Sequence, residues 1–271
     1  MAQLPDHITD LILLNLPVKT LLRFRSVCRR WNDTVTSSTF AKQHMKSVAA
    51  TPAACCNFFY SKASSCNQFC PRLSVFRISS AGPVRATGRV LHLPFRVDAA
   101  GVRKTWIHHS SCDGLLFMVE LGVDVRSSFI RVWNPATGEH KDAAWPRSLT
   151  DMDANVMDGW VGFGHAPRVD DHKIVVMCDS GHGWSIQILS LKTNAWRAVA
   201  ASPCLDSVRG GMDQQMNSVA VDGSVYWIVS VKTTEDGIYC EHGLLKFDLD
   251  EETFQVSFII FYLQLKLFEI L

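Results

Sequence analysis

The sequence predicts an α+β chain of more than one domain, in which a three-helix module precedes an all-β, incomplete propeller-like domain. Residues 4–45 contain no glycine and space their apolar residues three or four positions apart, as helices with one buried face do. After Ala49 the chain changes to short apolar runs separated by Gly, Pro, Asn, Asp and Ser, a pattern typical of strands and turns. Similar segments then recur about every fifty residues, which indicates stacked sheets.

The N-terminal module is predicted to contain three helices. Asp6 is the expected N-cap of the first helix, and Pro17 is expected to stop it. A second helix is predicted from one apolar stripe, which comprises Leu21, Phe24, Cys28 and Trp31. A third, shorter helix follows the Ser/Thr-rich residues 34–39, which suit a turn or a helix start. Because so small a module buries little surface, we expect it to dock on a partner.

The composition is that of an ordinary globular protein, with 47% hydrophobic and 20% charged residues. The net charge of +1 offers no electrostatic footprint for nucleic acid or for a membrane surface, so neither is expected as a partner. The nine cysteines are an odd number, and no signal peptide precedes Leu4. These features favour a reducing compartment, cytoplasmic or nuclear.

Six apolar runs in the second part of the chain are predicted strands. Most of the connecting stretches carry turn residues, such as Asn134-Pro135 and Asp222-Gly223. The predicted strands are Leu115–Val119, Ile130–Trp133, Ile174–Cys178, Ile186–Leu191, Val225–Val229 and Leu244–Leu249.

Two features repeat along these strands. An acidic turn followed by an apolar strand begins at Asp113, Asp171 and Asp222. A strand, a polar turn and another strand recur at intervals of 58 residues around Trp133, Leu191 and Leu249. A multi-stranded unit of this length is close to a kelch blade, and blades stack radially. Three clear repeats, with a weaker one near residues 57–78, fall at or below the four or so blades that close a propeller, so an incomplete ring is expected.

The helical module resembles the F-box motif of plant F-box proteins. The matching residues are L-P-D-H-I from Leu4 and L-P-V-K-T-L-L-R-F-R-S-V-C-R-R-W from Leu16 to Trp31. Asn15 stands where the family more often has Ser or Arg, which is a mild departure. The resemblance implies binding to a Skp-type adaptor and, through it, to cullin and the ubiquitin-conjugating machinery. The implied adaptor-binding positions are Leu4, Pro5, Ile8, Ile12, Leu16, Pro17, Leu21, Leu22, Val27, Cys28 and Trp31, some of which must instead form the core of the module.

The β region is similar to the F-box-associated domain of the same proteins. The similarity lies between Ser110 and Phe254, in S-C-D-G-L-L, V-W-N-P-A-T-G-E, V-G-F-G-H-A-P, D-D-H-K-I-V-V, I-L-S-L-K-T-N-A-W-R and V-D-G-S-V-Y-W. It implies a substrate-recognition subunit of an SCF-type ubiquitin ligase, with an unknown protein substrate on the β domain. We expect Trp133, Trp196 and Trp227 to pack in the core, so they do not identify the substrate.

The predicted domains are an F-box module at 1–45, a linker with the first β segments at 46–109, the F-box-associated domain at 110–256 and a divergent apolar tail at 257–271. An apolar tail beside an incomplete ring predicts a truncated or alternatively terminated receptor that aggregates readily.

Other interpretations of the same residues were considered. The helices are compatible with a plain three-helix bundle, or with a helix-turn-helix module that uses the basic residues Lys19, Arg23, Arg25, Arg29 and Arg30, although these suit a solvated face. The β domain is compatible with a kelch-like interaction module outside any ligase. A hydrolase would need a nucleophile and a base in one pocket.

Neither catalysis nor a metal site nor a cofactor is predicted. The sequence has no P-loop, H-E-x-x-H, G-x-S-x-G or dinucleotide fingerprint. The glycines of Gly162-Phe-Gly164 and Gly181-His-Gly183 are expected in turns, and Asp170-Asp171 likewise. Two groups of residues were weighed as zinc ligands and set aside. The first is Cys55, Cys56, Cys66 and Cys70 with the nearby His44, which lack paired C-x-x-C spacing. The second is His108, His109 and Cys112, because adjacent histidines of a strand point to opposite faces.

Overall fold

The computed structural model of the chain describes residues 5–49, 56–60, 72–79, 82–92, 105–121, 129–146, 160–179, 183–209, 218–232 and 239–258. The chain forms two compact units. The first comprises residues 1–106 and 133–140, and the second comprises residues 107–132 and 141–271.

Residues 5–49 form four helices rather than the three predicted. They are α1 (Asp6–Leu14), α2 (Val18–Phe24), α3 (Arg29–Thr36) and α4 (Ser38–Ala49). Pro5 and Pro17 are the N-cap residues of α1 and α2. Their carbonyl oxygens accept the first helical hydrogen bonds, from the backbone amides of Thr9 at 3.2 Å and Leu21 at 3.1 Å. The missing proline N–H costs nothing at this position, because an N-cap amide has no helical partner.

Two predictions about these helices were wrong. Asp6 is not the N-cap of α1 but its first helical residue, where a negative charge suits the helix dipole. The predicted second helix is divided in two, because Cys28 is extended and becomes the N-cap of α3. Before the break, the Ser26 hydroxyl donates to the carbonyl oxygen of Arg23 at 2.8 Å and satisfies one group at the helix end. The apolar spacing of three and four residues continues across the turn, so periodicity alone does not reveal the break between the two helices.

The Ser/Thr-rich segment does begin a helix, as predicted. The Ser37 hydroxyl accepts a hydrogen bond from the backbone amide of Phe40 at 3.2 Å, which caps α4. Leu13, Leu21 and Phe40 form the small buried core of the four helices. His44 of α4 is also buried, and its Nε2 lies 2.8 Å from the carbonyl oxygen of Leu16.

The rest of the described chain is built of strands in four sheets. The first sheet has the order β1 (Cys56–Tyr60), β2 (Arg72–Ser79) and β3 (Gly82–His92), all antiparallel, and it covers the segment in which a weaker repeat was predicted. The second has the order β4 (Thr105–Cys112), β5 (Leu115–Leu121), β6 (Phe129–Trp133) and β7 (His140–Ala144).

The third sheet is antiparallel, in the order β11-β10-β9-β8, and its strands are β8 (Trp160–Ala166), β9 (Asp171–Asp179), β10 (Trp184–Ser190) and β11 (Ala195–Val199). The fourth has the order β12-β14-β15-β16 with β13 also on β14, and its strands are β12 (Val208–Arg209), β13 (Val219–Val221), β14 (Ser224–Lys232), β15 (Tyr239–Asp248) and β16 (Phe254–Phe258). Each of the six predicted strands coincides with an observed one, apart from Leu191 and Leu249, which lie in the following turns.

The third sheet is buried on both faces. On one face its side chains pack with the fourth sheet in a core that includes Val175, Met177, Trp227 and Phe247. On the other face a second core includes Phe117, Ile130, Val161, Phe163, Ile174 and Val176. Neighbouring residues of β8 and β9 therefore point into different cores, which explains why these strands are continuous apolar runs and not alternating ones.

The predicted repeat corresponds to one turn structure used three times, although the turns begin at Asn134, Ser190 and Asp248, which are 56 and 58 residues apart, and not at equal intervals of 58. A backbone hydrogen bond of 2.8 Å closes each turn, from Gly138 to Asn134, from Asn194 to Ser190 and from Glu252 to Asp248. The donor residue has a positive φ each time, at 80°, 57° and 56°. The first residue of each turn also accepts a backbone amide on its side-chain oxygen, at 2.9 Å in Asn134, 3.1 Å in Ser190 and 2.9 Å in Asp248.

Gly162 and Gly164 lie inside β8 and not in a turn, so the prediction for this G-x-G segment was wrong. They share the face of β8 that packs on the fourth sheet. A Cβ atom on Gly162 would lie 2.7 Å from Val225 Cγ1 and would also overlap the Trp227 indole, and one on Gly164 would lie 2.7 Å from Leu249 Cδ1. The glycines therefore allow two sheets to approach closely. Of the other G-x-G segment, only Gly183 lies in the described residues, with a φ of 130°.

Candidate functional site

The described adaptor-binding positions fall into three groups by exposure, and one further position is not described. Leu4 lies outside the described residues. The exposed group is Pro5, Ile12, Pro17, Val27 and Cys28, and the half-buried group is Ile8, Leu16, Leu22 and Trp31. Leu21 is only 3% exposed and belongs to the core of the module with Leu13 and Phe40. Its place among the contact residues is therefore corrected, because a side chain sealed in the core supports the surface without forming it.

Helix α1 carries apolar side chains on two opposite sides. Leu13 points into the module core. Ile8, Leu11 and Ile12, at spacings of three and four, share the other side, where Leu11 is 55% and Ile12 is 48% exposed. We call these three residues the outer face of α1. The sequence analysis placed Ile8 and Ile12 of this face among the implied adaptor-binding positions and did not include Leu11 or Val18, which are exposed as well.

Ion pairs hold α1 against the beginning of α3. Arg30 forms an ion pair with Asp6 and lies 3.8 Å from an Asp10 oxygen. All of these side chains are partly solvated, so the pairs orient the helices more than they stabilise them. The arginines at 23, 25, 29 and 30 are exposed, as expected for a solvated face.

The second unit contains an open groove of about 510 Å³ beside β7 and β10, and its lining includes Asp142, Trp145, Gln187, Asn194 and Trp196. Asp142 is fixed by Arg131, whose Nε and Nη2 atoms lie 2.5 Å and 2.6 Å from the two carboxylate oxygens. Trp196 donates its indole N–H to the carbonyl oxygen of Ala144 at 2.9 Å. Trp145 is buried, and its indole N–H has no acceptor among the described residues. The groove thus offers a rigid floor that includes two tryptophan rings.

The predicted tryptophans pack as expected. Trp133 and Trp227 are buried, and Trp196 packs against the second core from the edge. Trp227 donates its indole N–H to the carbonyl oxygen of Val161 at 3.0 Å, which joins the fourth sheet to the third.

A polar cluster forms where the β4–β5 turn meets the hairpin of β8 and β9. His172 Nε2 lies 3.1 Å from Asp113 Oδ2, and His165 Nδ1 lies 3.8 Å from the same oxygen. The hydrogen bond from His172 holds the pKa of Asp113 below its ordinary value. The neighbouring Cys112 is a free thiol, and burial together with the charge of Asp113 raises its pKa to about 12. Asp170 lies in a turn, as predicted, and accepts from His165 Nε2 at 3.2 Å, whereas Asp171, which was also expected in a turn, is the first residue of β9.

The zinc candidates taken from sequence spacing are not supported by the described residues. Cys55, Cys66 and Cys70 lie outside them, and no side chain is described for Cys56, His108 or His109. Cys112 is brought next to Asp113 and His172 instead. Sequence spacing gave no indication of this, because His172 lies 59 residues after Asp113 along the chain.

Comparison with known families identifies two parts of the chain. A family model described as "F-box associated beta propeller domain" matches residues 90–265, and one described as "F-box domain" matches residues 1–43. The chain belongs to the F-box-associated beta propeller family and carries an F-box domain. The expected fold class, helices followed by an incomplete propeller of antiparallel sheets, is confirmed. Families of this kind are generally interaction modules, not enzymes.

The relatives of this F-box protein come from Arabidopsis thaliana. The F-box/LRR-repeat/kelch-repeat protein At1g09650 is 25% identical over 272 residues, which cover 94% of this chain and 64% of that protein. The F-box protein At2g43440 is 28% identical over 257 residues, which cover 92% of this chain and 52% of that protein. The chain therefore spans 52% to 64% of the length of these two relatives.

Among solved structures, an endo-arabinase from Bacteroides thetaiotaomicron VPI-5482 matches with a TM-score of 0.36 and 11% identity, over 73% of this chain and 78% of that one, which is too weak a likeness to bear on the fold. No helix in the described part of the chain is long and apolar enough to cross a membrane.

Proposed function

We propose that this F-box protein is the substrate-recognition subunit of an SCF-type ubiquitin ligase. The helical module would bind a Skp-type adaptor, and cullin through it, while the β domain would bind a target protein. The observation that carries this proposal is the outer face of α1. In it, apolar side chains remain in water although the module already has a core.

An exposed apolar helix face favours a partner over solvent. Fully burying a Leu or Ile side chain contributes about 1.5–3 kcal/mol, and Leu11 and Ile12 are about half exposed, so both have surface left to bury. The neighbouring Val18 and Val27 add exposed apolar surface in the same small module. A module of four short helices gains stability when such surface is covered.

The β domain is the part suited to a target protein. Its strands are fixed by two cores, whereas the groove between Asp142 and Trp196 is open and carries aromatic and polar groups on rigid strands. Aromatic side chains held in place provide contact area at a low entropic cost, which is typical of protein-binding surfaces. We propose this groove as one contact region for the target.

Adaptor co-purification tests the proposal. Ile12→Asp places a charge on the outer face of α1 and should reduce adaptor binding at least tenfold, because the carboxylate would be desolvated in the interface. Gln255→Asp, which adds the same charge at an exposed position of β16, should leave binding unchanged. A wild-type chain that does not co-purify with the adaptor would contradict the ligase role and favour a kelch-like interaction module outside a ligase, whereas equal binding by the two variants would exclude the outer face of α1 from the contact.

We also propose that the protein works in the cytoplasm, the nucleus or both. The cysteines at 28, 112 and 204 carry free thiols, which a reducing compartment preserves. A fluorescent fusion of the full chain checks this directly, and export to the extracellular space would contradict it.

A further inference from the structure

His165 and His172 face each other across the β8–β9 hairpin. They are directly paired in the antiparallel register of the two strands, and their ring centroids are 4.8 Å apart. Residues paired in this way have their side chains on the same face of the sheet, about 5 Å apart at Cβ. The hairpin therefore presents two imidazole rings at one point.

The β4–β5 turn brings two more donor groups to the same point. Cys112 is the last residue of β4, and Asp113 follows it with a φ of 52°, which turns its carboxylate toward the histidines. The Cys112 sulfur, an Asp113 oxygen and a His172 nitrogen lie within 4.8 Å of one another. His165 lies beside these three residues, with its Nδ1 3.8 Å from the Asp113 oxygen Oδ2.

Two further residues orient the histidines. His165 presents Nδ1 to Asp113, while its other nitrogen, Nε2, lies 3.2 Å from Asp170. A carboxylate on the far nitrogen of a histidine fixes the ring and its tautomer, as behind many metal-bound histidines. His172 stacks on Phe163 with ring centroids 5.7 Å apart. Both rings are thus held in place before any ligand arrives.

We propose that Cys112, Asp113, His165 and His172 form a binding site for a divalent transition metal of the zinc class. One sulfur, one carboxylate oxygen and two imidazole nitrogens are the ligand types that Zn²⁺ and Co²⁺ accept in tetrahedral sites. A set with two nitrogens and a sulfur does not suit Ca²⁺ or Mg²⁺, which take oxygen ligands. This proposal departs from the sequence-based expectation of no metal site.

The cluster is accessible to a metal ion from solvent. The side chains of His165 and His172 are each 26% exposed, so water and a hydrated ion reach the imidazole nitrogens. A bound metal would join the β4–β5 turn to the β8–β9 hairpin and so clamp the second sheet to the third. Its effect would be on the stability of the domain, independently of the adaptor.

The test is metal binding by the full 271-residue chain. The chain is purified without a polyhistidine tag, stripped with a chelator and titrated with Zn²⁺ by calorimetry and with Co²⁺ by absorption spectroscopy. We expect a Zn²⁺-dependent rise in the melting temperature. We also expect a tetrahedral Co²⁺ spectrum whose sulfur charge-transfer band disappears in Cys112→Ser.

Variants locate the site. The double variant His165→Gln with His172→Gln should lose one equivalent of metal, and Asp170→Asn, which removes only the orienting carboxylate, should weaken binding about tenfold. His140→Gln, a change at an exposed histidine of β7, should bind as the wild type does.

Two outcomes would overturn the proposal. One is a wild-type chain that binds no Zn²⁺ in excess metal, and the other is equal stoichiometry and affinity in the wild type and the double variant. If the double variant does not fold, the metal affinity and the Co²⁺ spectrum of Cys112→Ser and Asp170→Asn test the proposal instead. Both are mild changes, and unchanged metal affinity together with an unchanged Co²⁺ spectrum in both would overturn the proposal equally.

Discussion

Gly162 of β8 lies directly against the Trp227 indole of β14, so that a Cβ atom at residue 162 would overlap the ring. The same indole donates its N–H to the carbonyl oxygen of Val161 at 3.0 Å. The close approach and the hydrogen bond therefore depend on each other, because a side chain at residue 162 would push the ring away from its acceptor. This contact sets the spacing between the third and fourth sheets.

Gly162→Ala should consequently destabilise the β domain. Adding a methyl group to a packed interior costs about 1–3 kcal/mol, and the lost indole hydrogen bond adds to this. Urea unfolding followed by tryptophan fluorescence measures the change. In the Trp227→Phe background the smaller ring leaves more room, so the added cost of Gly162→Ala should fall. Full additivity of the two substitutions would contradict this account.

Glu252 is the common partner of two cations. It accepts from Lys173 at 2.9 Å and pairs with Arg197, and the Lys173 side chain is only 8% exposed. Burial raises the pKa of the Glu252 carboxyl, but the hydrogen bonds from Arg197 and Lys173 outweigh burial and hold the pKa below its ordinary value. The stability that Glu252 contributes is therefore fully present above the unfolded glutamate pKa of about 4.3, and it is lost as the pH falls through the folded pKa.

Glu252→Gln should lower the free energy of unfolding at pH 7 by about 1–3 kcal/mol, because the buried Lys173 loses its counter-charge. The difference from the wild type should begin to shrink as the pH falls below about 4.3, where the unfolded carboxyl takes up its proton, and should be lost only below the lowered folded pKa. Urea midpoints measured across this pH range check both statements. Glu251→Gln, which breaks the exposed pair with Arg168, is the matched control and should change stability by less than about 1 kcal/mol.

The sequence predicted the strands and the repeat well, because both depend on local patterns. Apolar runs bounded by turn residues located six strands, and recurring polar turns reported a real structural repeat, although these turns begin 56 and 58 residues apart. The sequence-based prediction failed where one sequence pattern is compatible with two different structures. The spacing from Leu21 to Trp31 continues across a helix break, and Gly162-Phe-Gly164 serves a close packing of sheets inside a strand.

Long-range contacts were not predictable in the same way. Asp113, His165 and His172 belong to three segments that were identified separately, and only the register of β8 and β9 brings the two histidines together. The direction of the outer face of α1 was also not readable. A short helix that is apolar on two sides does not indicate which side meets its own module, and this depends on packing against α2 and α4.

Asn194 occupies the left-handed position of the repeated turn after β10, with a φ of 57°. Asn tolerates this conformation better than most residues, and glycine has no steric penalty there. Asn194→Ala should therefore cost about 1 kcal/mol, whereas Asn194→Gly should change stability by no more than about 0.5 kcal/mol. Thermal melts of both variants check this, with Thr193→Ala as a control at a neighbour without positive φ. Equal effects of Ala and Gly at residue 194 would show that the backbone conformation is not what matters.

Substitutions at Leu21 and Ile12 should distinguish an effect on the stability of the helical module from an effect on adaptor binding. Leu21 is sealed in the module core, so Leu21→Ala should destabilise the helices by about 2–4 kcal/mol. Ile12 lies on the outer face of α1 at 48% exposure, so Ile12→Ala should change stability by less than about 1 kcal/mol. Hydrogen exchange of the amides in residues 5–49 reports the local stability of this module.

The effects of these two substitutions on adaptor affinity should not follow their effects on stability. Ile12→Ala should weaken binding by about tenfold although the helices keep their hydrogen-exchange protection, because truncation removes apolar area from the interface alone. Leu21→Ala should weaken binding only to the extent that protection is lost, and a temperature low enough to restore protection should restore binding. If Leu21→Ala abolished binding while the helices kept full protection, Leu21 would contact the adaptor itself, and its assignment to the core would have to be abandoned.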